Sequence, residues 1–134
     1  MNSDDVMAAF GEKAFFTLKL GEDVVGLAGW QVENLVTRTT DLYIEPNVAL
    51  EGALKVLIEE IEKASQALQS EASLLFLKEA MASHEAIWKT LGYEKRTPKT
   101  LGVQAWHDAA NEALTPEKTL YFKQLRMDRV LRPI

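Results

Sequence analysis

"IEPNVALEGALKVLIEE", residues 44–60, places a strand end, a Pro-Asn turn and a helix start in direct succession. Pro46 stops the strand, because proline has no N–H to give to a ladder. From Leu50 the apolar residues Leu50, Ala53, Leu54, Leu57, Ile58, Ile61, Ala64 and Leu68 recur at three- and four-residue steps, which is the spacing of one helix face. Glu51 with Lys55 and Glu59 with Lys63 form i,i+4 pairs on the opposite side. A strand that runs into a helix N-terminus is a common place to hold phosphate, on backbone amides reached past glycines. Only Gly52 is available for that purpose here.

Before this junction the pattern is that of strands. "FFTLKL" (15–20), the turn residues "GED" (21–23) and "VVGLAGWQV" (24–32) form a hairpin, and "TRTTDLYIE" (37–45) adds a third β-branched and aromatic strand. The expectation is one antiparallel meander. After the junction, "SLLFLK" (73–78) is apolar on both faces and suits the middle of a covered sheet. Residues 80–91 read as a second helix closed by Gly92 in a left-handed C-cap. Tyr93 to Arg96 pairs briefly, 102–114 is a third helix, and "KTLYFKQLR" (118–126) is a final strand. No internal repeat, linker or low-complexity stretch interrupts the order.

The 134 residues, 47% of them hydrophobic, suffice for a single domain spanning 1–134. Twenty acidic against 15 basic residues give a net charge of −5, and no Lys/Arg run is dense enough to hold a phosphate backbone, which argues against nucleic acid. The absence of cysteine removes disulfides, thiolate metal sites and cysteine nucleophiles, and fits a reducing compartment. The opening "MNSDDVMAAFGEK" is acidic and has no apolar h-region, and no apolar stretch has membrane-spanning length. The expected location is the cytoplasm, away from membranes.

The order of a meander, then strand, helix, strand and a helix ending in "LGY", then a last strand, resembles the GNAT acyltransferase superfamily over Phe15 to Leu125. The local matches are "DLYIEP" (41–46), the helix "ALKVLIEEI" (53–61) and "WKTLGY" (88–93). The resemblance implies an α/β fold: a mixed, mostly antiparallel sheet with helices on both faces. It also implies acetyl-CoA or CoA as cofactor and a small-molecule or protein amine as acceptor. Pantetheine would meet the backbone near Leu42 and Ile44, and pyrophosphate the amides of Leu50, Glu51, Gly52 and Ala53.

The chain departs from the superfamily's pattern at three places. In the phosphate loop only the middle glycine, Gly52, is kept. Ala49, Leu50 and Leu54 carry side chains where a cation, an amide or bare backbone is usual, Glu51 places a negative charge beside the helix dipole, and Asn47 is positioned to cap the helix itself. The proton-donor position often held by tyrosine is Trp88, whose indole N–H is not acidic, and Tyr93 falls on the packing aromatic. The superfamily also sets a strand and two helices ahead of the first hairpin, whereas about a dozen residues precede Phe15, enough for one short helix.

Other chemistry is sparse. His84 and His107 lack metal-ligand spacing with each other, and His107, Asp108 and Glu112 read as solvated surface. Glu79, just past a buried strand, is the candidate general base, and Glu33 and Asp41 have similar standing. Trp30, Trp88 and Trp106 read as core. Ser3, Ser65, Ser70, Ser73 and Ser83 have no nucleophile-elbow glycines. No metal is expected. Two readings follow: a CoA-dependent N-acyltransferase, or a non-catalytic domain that keeps the fold as a platform for self-association or protein contact. A homodimer is expected through the first hairpin or the last strand, whose Leu120, Phe122 and Leu125 require cover.

Overall fold

Two tight turns build the meander. Gly21, at φ 65°, links β1 (Ala14–Leu20) to β2 (Asp23–Glu33). Asn34 and Leu35, at φ 55° and 65°, link β2 to β3 (Val36–Ile44), the doubly left-handed turn whose twist matches that of the flanking strands. The computed structural model describes residues 13–126, so the short N-terminal helix expected from the sequence and Ser3 lie outside the described residues.

The sheet order is β1-β2-β3-β4-β6-β5, with β4 at Ala72–Lys78, β5 at Glu94–Arg96 and β6 at Lys118–Gln124. Among the described residues only β3 and β4 pair in parallel. The amphipathic α1 (Leu50–Ala67) covers one face, where Leu54, Leu57, Ile58 and Ile61 pack with Phe16, Trp30, Leu75 and Leu77. α4 (Gln104–Ala113) covers β4 and β6 on the other face, through Trp106 and Ala110 against Leu74, Phe76, Leu120 and Phe122. The mixed α/β fold expected from the sequence is therefore the fold observed, and all three tryptophans are core. Arg38, 8% exposed, ties β3 to α4 through the carbonyl oxygen of Ala109 and the carboxylate of Glu112. Glu112 makes this ion pair from a side chain that stays 72% exposed, so it is solvated surface as expected, with Arg38 as its partner.

Three expectations need correction. Residues 80–91 are not one helix but two, α2 (Glu79–Ala82) and α3 (Glu85–Thr90). The chain leaves helical geometry at His84 (φ −84°, ψ 57°), and the Trp88 indole donates at 3.0 Å to the carbonyl oxygen of Met81, an acceptor that a continuous helix would use for itself. Second, β6 lies between β4 and β5, with Leu120 and Phe122 only 1% and 7% exposed, so its apolar residues are already covered from within the chain and supply no dimer surface. Third, Asn47 does not cap α1. The N-cap is Ala49, and among the described residues no side chain caps the helix start.

Candidate functional site

The site follows from one extra residue in β3. Trp30 pairs with Thr39 and the preceding Gly29 with Asp41, so Thr40 is a β-bulge. A bulge inverts which face each later side chain occupies. Thr37 bonds Ser65 on the α1 side, yet Leu42 and Ile44, five and seven positions on, pack on that same side. Gly29 permits the distortion: a Cβ there would lie 2.6 Å from an Asp41 carboxylate oxygen and 2.8 Å from the Phe15 ring.

A bulge also bends its strand, and β3 and β4 separate as a result. Their parallel pairing covers only Val36 to Thr39 against Ala72 to Leu75, although β3 continues to Ile44 and β4 to Lys78. The parted ends enclose a cleft of about 810 Å³. Lys118 crosses its apex from β6, donating at 3.1 Å to the carbonyl oxygen of Thr40. The cleft passes through the sheet. Leu42, Ile44, Leu50, Met81 and His84 line it on the α1 side, and Leu27, Asp41, Tyr43, Lys78 and Lys118 on the other.

Three of the expected cofactor contacts, Leu42, Ile44 and Leu50, therefore line one cleft. Glu51 and Gly52 are exposed at the start of α1, and a Cβ added to Gly52 would meet nothing within 4 Å. Ala53 is buried, and its amide donates to the carbonyl oxygen of Ala49 at 3.2 Å. The amides a helix leaves without intrahelical acceptors are thus those of Leu50, Glu51 and Gly52. Trp88 is fully buried against Tyr93 and Tyr121, away from any proton-donor role. Glu79 is exposed at the start of α2 and is not among the residues that line the cleft.

His84 was missed because a continuous helix over 80–91 makes it one more surface residue. The chain break instead sets it on the cleft wall. Ser83, a weak helix former in mid-pattern, is the one signal of that break in the sequence. Tyr43 donates to Glu45 at 3.1 Å, and that bond, followed by desolvation and the Glu45 charge, raises its phenol above the usual value, so the hydroxyl keeps its proton near neutrality. Asp41 is ion-paired with Lys13. Among the described residues no group of His, Asp and Glu is arranged to hold a metal, and no helix is long and apolar enough to cross a membrane.

No protein-family model and no curated protein matches the sequence. Solved structures do. A GNAT-family acetyltransferase from Staphylococcus aureus Mu50 superposes over 92% of this chain and 74% of its own, with TM-score 0.69 and 10% identity. The PaiA N-acetyltransferase of Thermoplasma acidophilum, solved with coenzyme A, matches 84% of this chain and 60% of its own at TM-score 0.63 and 12% identity. An acetyltransferase from Streptococcus agalactiae 2603 matches 84% and 66%, at 0.64 and 15%. The chain has the GNAT acetyltransferase fold. The likeness is one of fold, and the chain spans 60% to 74% of the length of these proteins.

Proposed function

We propose that the chain is a CoA-dependent N-acyltransferase whose two substrates meet in the cleft between β3 and β4. The observation that carries this is the parting of the strands beyond Thr39, which opens a passage through the sheet with one mouth at the start of α1 and one on the opposite face. The residues present fit CoA. The start of α1 has no side-chain cap and presents amides and a positive dipole end, and the space over Gly52 is open to a close-packed anion. The edge of β3 beyond Thr39 has lost its strand partner, so the backbone near Leu42 and Ile44 is free to bond an extended amide. Solution of the PaiA relative with coenzyme A supports the same reading.

Acyl-CoA would supply an activated acyl carbonyl, whose transfer to an amine forms an amide and leaves a thiol. This chain's part is binding, orientation and proton handling. His84, on the cleft wall, is the group placed to accept or deliver a proton, with Glu79, one residue beyond Lys78, as second candidate. Neutral Tyr43 offers a hydroxyl at the other mouth. Glu51 is the residue that opposes the reading, because a negative charge in the first turn of α1 repels phosphate and lowers affinity. The platform reading draws on the exposed apolar side chains of Phe15, Val24 and Tyr43, on the part of the sheet away from α1, and a homodimer through this hairpin face is compatible with either function.

Thermal stability in the presence of CoA tests the proposal. A ligand at a hundred times its dissociation constant adds about 2.7 kcal/mol. Wild type should be stabilised, and Gly52→Val should lose the effect because its side chain fills the space over the amides. No shift at millimolar CoA, or equal shifts in both proteins, rejects the site.

A further inference from the structure

The second mouth of the cleft carries a charge arrangement that the fold does not explain. Lys78 and Lys118 are direct cross-strand partners in the β4–β6 ladder. Both point to the face away from α1, since Phe76 and Leu120, two residues from each, belong to the core under α4. Like charges placed directly opposite each other on neighbouring strands are unfavourable.

Among the described residues no carboxylate, the chain neighbours Glu79 and Glu117 included, forms an ion pair with either lysine. Asp41 is paired with Lys13, Glu94 with Arg96, and Glu45 accepts from Tyr43. Among the described residues the Lys118 side chain donates only to the neutral carbonyl oxygen of Thr40, and the Lys78 side chain has no hydrogen bond or ion pair. Lys118 is half-buried and turned inward over the apex, while Lys78 is exposed at the rim, so the two ammonium groups frame the opening. The phosphates of CoA belong at the start of α1, on the other face, and do not account for them.

We infer that this mouth receives the acceptor, and that Lys78 and Lys118 hold a carboxylate on it: the substrate class is a small amine that also carries a carboxylate, of the amino-acid type. The inference rests on the transferase reading given above and adds the identity of the second substrate. An anion seated between the two ammonium groups turns a repulsive pair into two charge-assisted hydrogen bonds. The same contacts leave the amine end of a short amino acid directed away from the two ammonium groups and into the cleft.

The test compares L-alanine, L-aspartate and ethylamine, the last being alanine without its carboxylate, titrated into the full chain with backbone amide shifts as the readout. Alanine and aspartate should shift the amides of Thr40, Asp41, Lys78 and Lys118 saturably, with affinities about tenfold or more above that of ethylamine, the effect of one charge-assisted contact. Lys78→Gln should abolish that preference and Lys78→Arg should keep it, each with wild-type CoA-induced thermal stabilisation. Equal affinity for all three compounds, or a preference that survives Lys78→Gln, overturns the carboxylate subsite while CoA binding keeps the transferase reading standing. A wild-type chain that binds no CoA overturns both.

Discussion

Gln69 and Gly92 perform the same task with different residues. In α1 the amide of Ser70 bonds the carbonyl oxygen of Ser65 and that of Gln69 bonds Gln66, and in α3 Tyr93 bonds Trp88 and Gly92 bonds Lys89. Both helices therefore end in a Schellman motif with a left-handed residue, Gln69 at φ 68° and Gly92 at φ 95°. Only the glycine adopts that conformation without a Cβ penalty, so Gln69→Gly should stabilise the protein by about 1 kcal/mol and Gly92→Ala should destabilise it by at least as much, read from urea midpoints. Tyr93 is the residue that sets an alkaline limit. Its hydroxyl lies between Ser73 (2.7 Å) and Glu62 (2.9 Å), and burial, then the Glu62 charge, raise its phenol well above the usual value of about 10. A folded value above the unfolded one gives stability that is complete below pH 10 and lost as pH rises through the folded value. Wild type should therefore weaken above pH 10. Tyr93→Phe should be less stable by about 1–2 kcal/mol at neutral pH and show a flatter alkaline decline; parallel curves for the two proteins would exclude Tyr93 as the cause.

At the scale of elements, strands and helices announced themselves by their periods: β1 to β3 by β-branched content, α1 by its three- and four-residue spacing, β4 by an apolar run that is now buried on both faces. The features that make the site were not legible, because they break period. Thr40 is an ordinary strand residue in composition, and its bulge shows only when Thr37 and Leu42 are found on one face. The break at His84 lies inside a helical pattern and depends on a tertiary contact, the Trp88 indole reaching the Met81 carbonyl. Asn47 had the right chemistry for a cap and the wrong position. Deleting Thr40 tests the role of the bulge. Without it Thr39, Asp41 and Leu42 alternate regularly, Leu42 and Ile44 keep the core face opposite Ala28 and Gly26, and the bend that parts β3 from β4 is lost, so CoA-induced stabilisation should disappear while the protein itself loses less than the roughly 1.5–3 kcal/mol of one apolar side chain. A deletion variant that loses much more than that, or that keeps its CoA-induced stabilisation, would mean that the bulge argument fails.

For the whole molecule, the two faces of the sheet are unequally covered. α1 spans one, while α4 shields β4 and β6 on the other and leaves Phe15 (44% exposed), Val24 (52%) and Tyr43 (51%) in water on the meander. A second copy is the expected cover, through the face and edge of β1 and β2 rather than through β6. Phe15→Glu should then shift a dimer to monomer in light scattering at tens of micromolar, and a wild-type monomer at that concentration would remove the dimer. The central claim, that CoA enters the cleft made by the parting of β3 and β4, is tested most directly by backbone amide shifts on adding CoA to the full chain. Shifts that saturate and concentrate at Leu42, Ile44, Leu50, Glu51, Gly52 and Met81 are the predicted result. Saturation with shifts confined elsewhere, or no shift at millimolar CoA, would contradict it.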